Sequence, residues 1–443
     1  MPSNVKRWVG RRLMKRAGGN GLDLARLRVV PRSVSMPLRR NGLDPVPDLG
    51  TVRETEPVHM LKRLFGLNIW IVTGYDEARA VLADSSRFSN DIRPLVGGGD
   101  SAGAEGIGGL GFTDPPNHTR LRKFLTPEFT MRRLARLEPL IAGIVERQLD
   151  EVEAAGPVAD LVPTFAFPIP FQVICELLGL PVEDRERFRQ LGPARFDLSQ
   201  GGVGVFGSAT DSRQFLFEMV AKQRKDPGDG LIGEILRAHG DEIDDVELGG
   251  LADGVFLGGY ETSASMLALG TLVLLQNTAT YAALGHDDAE LDRVVEELLR
   301  YLSVVQVAFP RFARRDMDLF GQRVSKGDLV SVSLSGANRD PQTFGLDADA
   351  FNPHRLGGNG PGSAHFGFGH GFHRCVGSEL ARMELRCAYR ALARRFPDLS
   401  LAAPVDDLRF RDFSIVYGVE ALPVRLRSEA TAFGAEQPFG VAG

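Results

Sequence analysis

The chain has 443 residues, of which 43% are hydrophobic and 25% are charged, so it can bury a large core. Its formal net charge of −5 gives no reason to expect nucleic acid as a partner. Its three cysteines include no close pair, which favours a reducing compartment and excludes a cysteine-rich iron–sulfur or zinc module.

The first residues carry a basic amphipathic pattern. Val5, Trp8 and Leu13 recur at helical spacing among lysines and arginines, and no acid appears before Asp23. The pattern fits weak contact of residues 4–17 with anionic lipid, although a flexible extension or a helix packed on its own protein is the more common origin of such a pattern. No run of about 18 apolar residues follows. We therefore expect a soluble cytoplasmic protein, with a membrane surface as the only membrane contact.

Hydrophobic periodicity predicts a mainly helical chain with a smaller β portion. Residues 68–73 read as a strand and Tyr75 to Ala83 as the helix after it. The glycine-rich stretch that follows contains Gly106-Ile-Gly-Gly-Leu-Gly111, but no strand precedes this match and Asp-Pro-Pro succeeds it, so a nucleotide site is not expected. Further helices are predicted at 132–154, 170–180, 213–222, 245–275 and 292–302, and further strands at 328–335 and 415–424.

Four short segments carry candidate functional residues. In the first, His118 and Arg122 lie four residues apart, so both can reach one anion from the same helix face. In the second, Glu261 and Thr262 interrupt a long apolar helix, where burying them costs free energy unless they find partners. An ordinary helix with the alcohol bonded to the preceding turn is the plain alternative.

The third segment is Glu297-Leu-Leu-Arg300, which alone is a routine ion pair on a solvated face. Phe351-Asn-Pro-His-Arg355 follows it, with Ala337-Asn-Arg-Asp-Pro341 between them. The fourth segment is Phe366-Gly-Phe-Gly-His-Gly-Phe-His-Arg-Cys375-Val-Gly377, where glycines let backbone N–H groups approach a sulfur. A thiolate bound to iron needs such donors. The other cysteines, Cys175 and Cys387, lie in apolar helical stretches and read as structural thiols.

The fourth segment resembles the haem-thiolate pattern F-x-x-G-x-H-x-C-x-G of the cytochrome P450 family. Phe368, Gly371, His373, Cys375 and Gly377 meet it. The resemblance implies the mostly helical cytochrome P450 fold as a single large domain, haem b as the cofactor, and Cys375 as the axial iron ligand.

The other segments occur in the order that the family requires. The resemblance makes Gly258-Gly259-Tyr-Glu261-Thr262 an oxygen-activation helix, in which the glycines open space for dioxygen, Thr262 holds a water and Glu261 relays protons. It also implies that the haem propionates are bound by His118, Arg122, Arg311 and His373. A buried network that secures the ligand loop would consist of Glu297, Arg300 and Arg355. The chain departs from the family at Tyr260, where many relatives have histidine.

The resemblance also implies an organisation and an activity. Residues 1–45 are expected to be an extension, 46–427 the haem domain and 428–443 a disordered tail. The enzyme is expected to insert one oxygen atom from dioxygen into a small apolar organic substrate, such as a lipid, a sterol or terpenoid, or a secondary metabolite. Electrons would come from a ferredoxin and an NAD(P)H-dependent ferredoxin reductase. The predicted docking face consists of Arg120, Lys123, Arg374 and Arg382.

Two alternatives stay open. An enzyme of the same fold can perform oxidative coupling, ring closure or peroxide-driven oxidation. A haem sensor or carrier without turnover is the other, but a sensor has no need of the Glu261–Thr262 pair.

Overall fold

The computed structural model describes residues 32–64, 67–91, 109–191, 209–355 and 365–426. Residues 4–17, where the sequence allows contact with lipid, and residues 428–443, where it predicts a disordered tail, lie outside these ranges. Across the described ranges, no helix combines the length and the apolar character that crossing a membrane requires.

Helices form most of the described structure. In chain order they are α1 (Arg32–Ser35), α2 (Pro47–Thr55), α3 (Tyr75–Ala83), α4 (Asn117–Leu125), α5 (Met131–Leu134), α6 (Glu138–Ala154), α7 (Pro168–Leu178), α8 (Val182–Leu191), α9 (Ala209–Lys225), α10 (Leu231–His239), α11 (Asp245–Gln276), α12 (Thr278–Ala283), α13 (Asp288–Leu302), α14 (Leu334–Ala337), α15 (Pro341–Phe344) and α16 (Ser378–Arg395).

The strands are short and gather mainly in two sheets. They are β1 (Arg40–Asn41), β2 (Asp44–Pro45), β3 (Val58–Leu64), β4 (Leu67–Val72), β5 (Phe88–Ser89), β6 (Val158–Asp160), β7 (Arg311–Ala313), β8 (Met317–Leu319), β9 (Gln322–Val324), β10 (Leu329–Val332), β11 (Ser400–Leu401) and β12 (Pro423–Arg425). The larger sheet has the order β3-β4-β10-β7-β5, with only β4 and β10 parallel, and the smaller has the order β11-β12-β6. β1 pairs with β2, and β8 with β9.

The centre of the fold is α11, which spans 32 residues. Asp244 begins it by accepting a hydrogen bond from the Glu247 N–H. The helix is apolar on all sides and mostly buried, as expected of a helix surrounded by protein. It packs against α7, α9, α13 and α16. Residues 258–262 lie near its midpoint, and of these Glu261 is buried whereas Gly258 is exposed.

The amphipathic helix α13 positions two of the predicted segments. Its N-cap Asp287 accepts from the Glu290 N–H, and its apolar face packs against α11 and α16. It ends at Ser303, whose φ of 40° turns the chain out of the helix. The helix thus carries Glu297 and Arg300, whose side chains bond to the backbone between Asn338 and Asn352.

The mostly helical single domain predicted from the sequence is confirmed, but two predicted elements are wrong in part. The continuous helix 132–154 is interrupted by a 3₁₀ turn at Ala135–Leu137, and α6 restarts with a proline in its first turn, where no N–H is needed. The strand predicted at 415–424 is only β12. Before it the chain doubles back, because Phe413 adopts a φ of 63° and the Arg411 N–H donates to the Gly418 carbonyl at 2.8 Å.

Candidate active site

The loop that carries Cys375 is a sequence of tight turns ending at α16. Gly369 and Gly371 have φ values of 68° and 71°, which side chains rarely tolerate. A Cβ on Gly371 would also lie 2.5 Å from the Leu82 carbonyl oxygen, so the loop lies directly on α3. The Cys375 N–H donates to the Phe368 carbonyl at 2.9 Å. These constraints fix the path of the backbone that carries the thiol.

The surroundings of the Cys375 sulfur combine burial with positive charge. Cys375 is exposed to solvent, and protein atoms nonetheless lie densely around its sulfur. Burial raises the pKa of the thiol, while the Gly377 N–H and the charges of Arg122 and Arg382 act in the opposite direction. The latter groups favour the thiolate, which is the form that binds iron.

Nitrogen donors cluster beside this loop. The rings of His118 and His373 lie 4.4 Å apart. His118 is buried, and neither of its ring nitrogens has a hydrogen-bond partner in the described part of the chain. Burial lowers the pKa of Arg311 to about 10. Burial, together with Arg311, His118 and Arg122, lowers the pKa of His373 to about 3. An anionic group is the expected ligand of such a cluster, and the propionates of haem fit it.

Within α11 the two glycines have different surroundings. Gly258 is exposed, and nothing lies within 4 Å of the position that a Cβ would take. A Cβ on Gly259 would instead lie 2.5 Å from the Ile174 side chain on α7. The prediction that both glycines open space is therefore corrected for Gly259, which permits close packing of two helices. Thr262 is half-buried, and its hydroxyl donates to the Gly258 carbonyl at 2.6 Å.

The acid of this segment has a partner that the sequence did not indicate. Glu261 is 2% exposed, and its Oε1 accepts from Nη1 of Arg411 at 3.1 Å. The Arg411 guanidinium lies 4.9 Å from the centre of the Phe167 ring. Arg411 also lines an open cleft of about 560 Å³, together with Phe167, Phe171, Gln172 and Arg189. Arg411 therefore lies between Glu261 and a surface cleft.

Glu297 and Arg300 form a bidentate ion pair, and both side chains are 0% exposed. Arg300 Nε donates to Oε2 at 2.8 Å and Nη2 donates to Oε1 at 2.7 Å. Arg355 Nε lies 3.5 Å from the same Oε1, which also accepts from the Asn352 N–H at 2.9 Å. The sequence alone allowed an ion pair on a solvated face, but in the structure this ion pair is buried. The three predicted network residues lie together, with Glu297 and Arg300 buried and Arg355 half-buried.

Asn338 joins α13 to the start of the cysteine loop. Its Nδ2 donates to the Ser303 hydroxyl at 2.8 Å, and its Oδ1 accepts from the Phe366 N–H at 2.7 Å. The residue is fully buried. In the sequence, the segment around Asn338 was noted only for its position between Arg300 and Arg355. Asn338 is a polar residue beside the apolar β10–α14 region, and this indicates that its side chain is buried and bonds to a distant segment.

Two of the four cations of the predicted docking face form ion pairs in the structure. Arg120 is paired with Glu247, and Arg382 is paired with Glu296 and Glu379. Neighbouring acids therefore compensate part of both charges. Lys123 and Arg374 are exposed.

Comparison with known proteins gives consistent results. The family model described as "Cytochrome P450" matches residues 290–407. Cytochrome P450 165C4 of Amycolatopsis orientalis is 42% identical over 77% of this chain and 83% of its own length. Cytochrome P450 FAS1 of Rhodococcoides fascians is 39% identical over 87% and 96%. The solved structure of P450 StaH from glycopeptide antibiotic A47934 biosynthesis is 41% identical, with a TM-score of 0.78 over 88% of this chain and 99% of that one.

These similarities define the class of the protein as a haem-thiolate enzyme. The Cys375 loop and the nitrogen cluster beside it fit haem. This chain belongs to the cytochrome P450 family. It binds haem b and is a monooxygenase.

Proposed function

We propose that the enzyme oxidises a small apolar organic molecule of secondary metabolism, with Cys375 as the iron ligand. The observation that carries the haem assignment is the pair of His118 and His373 beside the Cys375 loop, in which both ring nitrogens of His118 lack a hydrogen-bond partner among the described residues. Several relatives have names that fit this substrate class, among them "6-deoxyerythronolide B hydroxylase" and "Polyketide biosynthesis cytochrome P450 PksS". Haem supplies the redox chemistry, in which one atom of dioxygen enters the substrate and the other leaves as water.

Other predicted site residues would hold the haem. Phe368 and Gly371 shape the loop around Cys375, and the Gly377 N–H is directed at the sulfur. The propionates would be held by His118, Arg122, Arg311 and His373. Arg122 supports this role because its guanidinium already bonds to the Phe372 and Arg374 carbonyls, at 3.1 and 2.7 Å, and so lies on the cysteine loop.

Thr262 and Glu261 would handle protons. The Thr262 hydroxyl donates to the Gly258 carbonyl, so its oxygen lone pairs remain available to a water on the open side of α11. Glu261 is adjacent in sequence, and Arg411 connects it with the cleft. Protons from solvent would pass along this side of the helix to a water held by Thr262.

Electrons would come from a ferredoxin and its NAD(P)H-dependent reductase. Lys123 and Arg374 remain as the exposed cations of the predicted docking face. Contact of residues 4–17 with a membrane surface also remains a proposal. Sedimentation with anionic and with neutral vesicles, comparing the full chain with one that lacks residues 1–31, would test it.

Oxidative coupling is the second candidate. The solved structure titled as OxyC, "Implicated in an Oxidative C-C Coupling Reaction During Vancomycin Biosynthesis", is 39% identical with a TM-score of 0.77 over 88% of this chain and 95% of that one. Turnover of a candidate substrate under labelled dioxygen separates the two reactions. Label in the product supports oxygen insertion, and a coupled product without label supports the second candidate.

The iron ligand is tested by the reduced carbon monoxide complex. A cysteinate ligand donates electron density to iron, so this complex should absorb at the red-shifted wavelength of haem-thiolate proteins. Cys375→His should abolish that band, whereas Cys387→Ser, a control in α16, should retain it. A red-shifted band in the Cys375 variant would remove Cys375 from the site.

A further inference from the structure

Two adjacent acids on α13 point to different segments. Glu297 holds Arg300 and the segment at 352–355, as described above. Glu296 instead accepts from Arg382 on α16 through two bonds, Nε to Oε1 at 2.5 Å and Nη2 to Oε2 at 3.0 Å. Its Oε2 also lies 3.1 Å from Nε2 of His365, the residue before Phe366. Glu296 thus joins α13 to α16 and to the start of the cysteine loop.

The hydrogen bonds around His365 fix its tautomer. Its Nδ1 accepts from the Gly367 N–H at 3.0 Å, so the ring proton must be on Nε2, which faces Glu296. A Cβ on Gly367 would lie 2.9 Å from the Leu299 carbonyl oxygen, so the loop is pressed against α13 at this point. The beginning of the loop is therefore held by a directional contact with Glu296 as well as by packing.

Arg382 continues the connection to the cysteine. Its guanidinium carbon lies 4.6 Å from the centre of the Phe368 ring, and the Phe368 carbonyl accepts the Cys375 N–H. Arg382 is 15% exposed on its side chain and is held from a second direction by Glu379 at 2.8 Å. The Arg382 charge also acts on the Cys375 sulfur. The same guanidinium thus packs on the residue that orients Cys375 and supplies positive charge near its sulfur.

We propose that Arg382, oriented by Glu296, is a positioning residue for the cysteine loop, and that this pair sets the reduction potential of the bound haem. The proposal rests on Cys375 being the iron ligand. A positive charge near the thiolate stabilises the reduced iron, whose complex carries one more electron, and a negative charge near it has the opposite effect. Arg382 was expected from sequence to dock a ferredoxin, and its pairing with two acids assigns it this different role.

The proposal predicts opposite effects for the two partners. Arg382→Gln removes the cation and should lower the midpoint potential. Glu296→Gln should raise it, because Glu379 still holds Arg382 in place and its charge is then less compensated. The expected shift is at least about threefold in the ferrous-to-ferric ratio at a fixed applied potential, or about 30 mV for one electron. Arg382→Lys should restore part of the charge effect and less of the packing on Phe368.

The measurement is a spectroelectrochemical titration of the purified holoproteins, with the carbon monoxide band and haem content recorded in parallel. Arg386→Gln is the matched control, since Arg386 lies one turn further along α16 and pairs only loosely, at 3.4 Å, with Asp292. Shifts of the same sign in both partners, or an equal shift in the control, would overturn the proposal. So would an Arg382 variant of unchanged potential that binds ferredoxin more weakly, as expected of a docking residue.

Failure of the iron-ligand assignment gives a different pattern. If Cys375 is not the ligand, the wild-type protein lacks the red-shifted band before any partner is changed. If the assignment holds and this inference fails, the band is present in wild type and in both variants, with equal potentials in all three.

Discussion

Replacing Glu297 by alanine should strongly destabilise the protein. The Glu297 carboxylate accepts two bonds from Arg300 and one from the Asn352 N–H, and both charged side chains have no exposure to solvent. Loss of one partner of a buried pair leaves the other charge uncompensated in a medium of low dielectric constant, which costs about 3 to 5 kcal/mol. The Asn352 N–H would lose its acceptor in addition.

The chain provides a control with the same spacing and bond pattern. Glu186 and Arg189 are also three residues apart on one helix and also form two bonds, at 2.8 and 2.9 Å, but both side chains are 59% exposed. Exposed pairs of this kind contribute little, because water and salt screen them. Glu186→Ala should therefore leave the unfolding transition almost unchanged.

The assay is urea unfolding of the holoproteins, followed by far-ultraviolet circular dichroism and by haem absorbance. In Glu297→Ala, the transition followed by haem absorbance should occur at lower urea than the transition followed by circular dichroism. The reason is that Glu297 holds the backbone at Asn352, which precedes the cysteine loop. If Glu297→Ala purifies too poorly for this, Glu297→Gln, which keeps the shape and an acceptor oxygen, gives an intermediate transition. Equal midpoints for the Glu297 and Glu186 variants would refute the argument from burial.

Three further predictions concern Thr262, Arg411 and Glu384. Thr262→Ala should bind haem and substrate normally but divert electrons to hydrogen peroxide, with about 10²- to 10⁴-fold loss in the proton-dependent step, whereas Thr262→Ser should keep most of the coupling. Wild-type product per NADPH in the alanine variant would contradict the proton role. Arg411→Gln removes an ion-pair partner of Glu261 and should enlarge the solvent deuterium isotope effect on turnover, and an unchanged isotope effect would separate Arg411 from proton delivery. Burial raises the pKa of Glu384 to about 8, so the unfolded state releases a proton that the folded state keeps, and stability should fall as pH rises from about 4.5 to 8. Glu384→Gln should flatten that decline in thermal midpoint, and an equally steep decline would refute the assignment.

Local sequence patterns predicted the elements whose causes are local. The helix expected at Tyr75 to Ala83 is α3 with the same bounds, and α11 matches the expected 245–275 to within one residue at its end. In both, periodic apolar residues and the N-terminal flank determine the helix. The cysteine loop was recognisable in part for the same reason, since Gly369 and Gly371 adopt positive φ values, which is a local requirement. The close contact of Gly371 with α3 was not visible in the sequence.

Contacts between distant segments were not predictable in this way. Arg411 pairs with Glu261 across 150 positions, and nothing in the residues next to Arg411 indicates that partner. The doubling back of the chain near Gly418 depends on one residue, Phe413, adopting a backbone conformation that its type rarely takes. Periodicity alone therefore favoured a strand there. The Glu296–Arg382 pair was missed for a similar reason, because α13 and α16 meet only in the folded chain.

The buried charges around α13 have a physical reason beyond their mutual attraction. Between β10 and Arg355 the described chain forms only the short helices α14 and α15, so most of its carbonyl groups lack partners in a sheet or a long helix. Arg300 donates to the carbonyls of Asn338, Ala348 and Ala350, at 2.7, 2.8 and 3.0 Å. A guanidinium has five donors in a rigid plane and can replace several backbone bonds at once. Glu297 then keeps that guanidinium in place and balances its charge. The ion pair thus satisfies backbone carbonyls of an irregular segment, as neighbouring strands do in a sheet. The i, i+3 spacing of Glu297 and Arg300 could not reveal this, because the carbonyls that Arg300 binds lie 38 to 50 positions further along the chain.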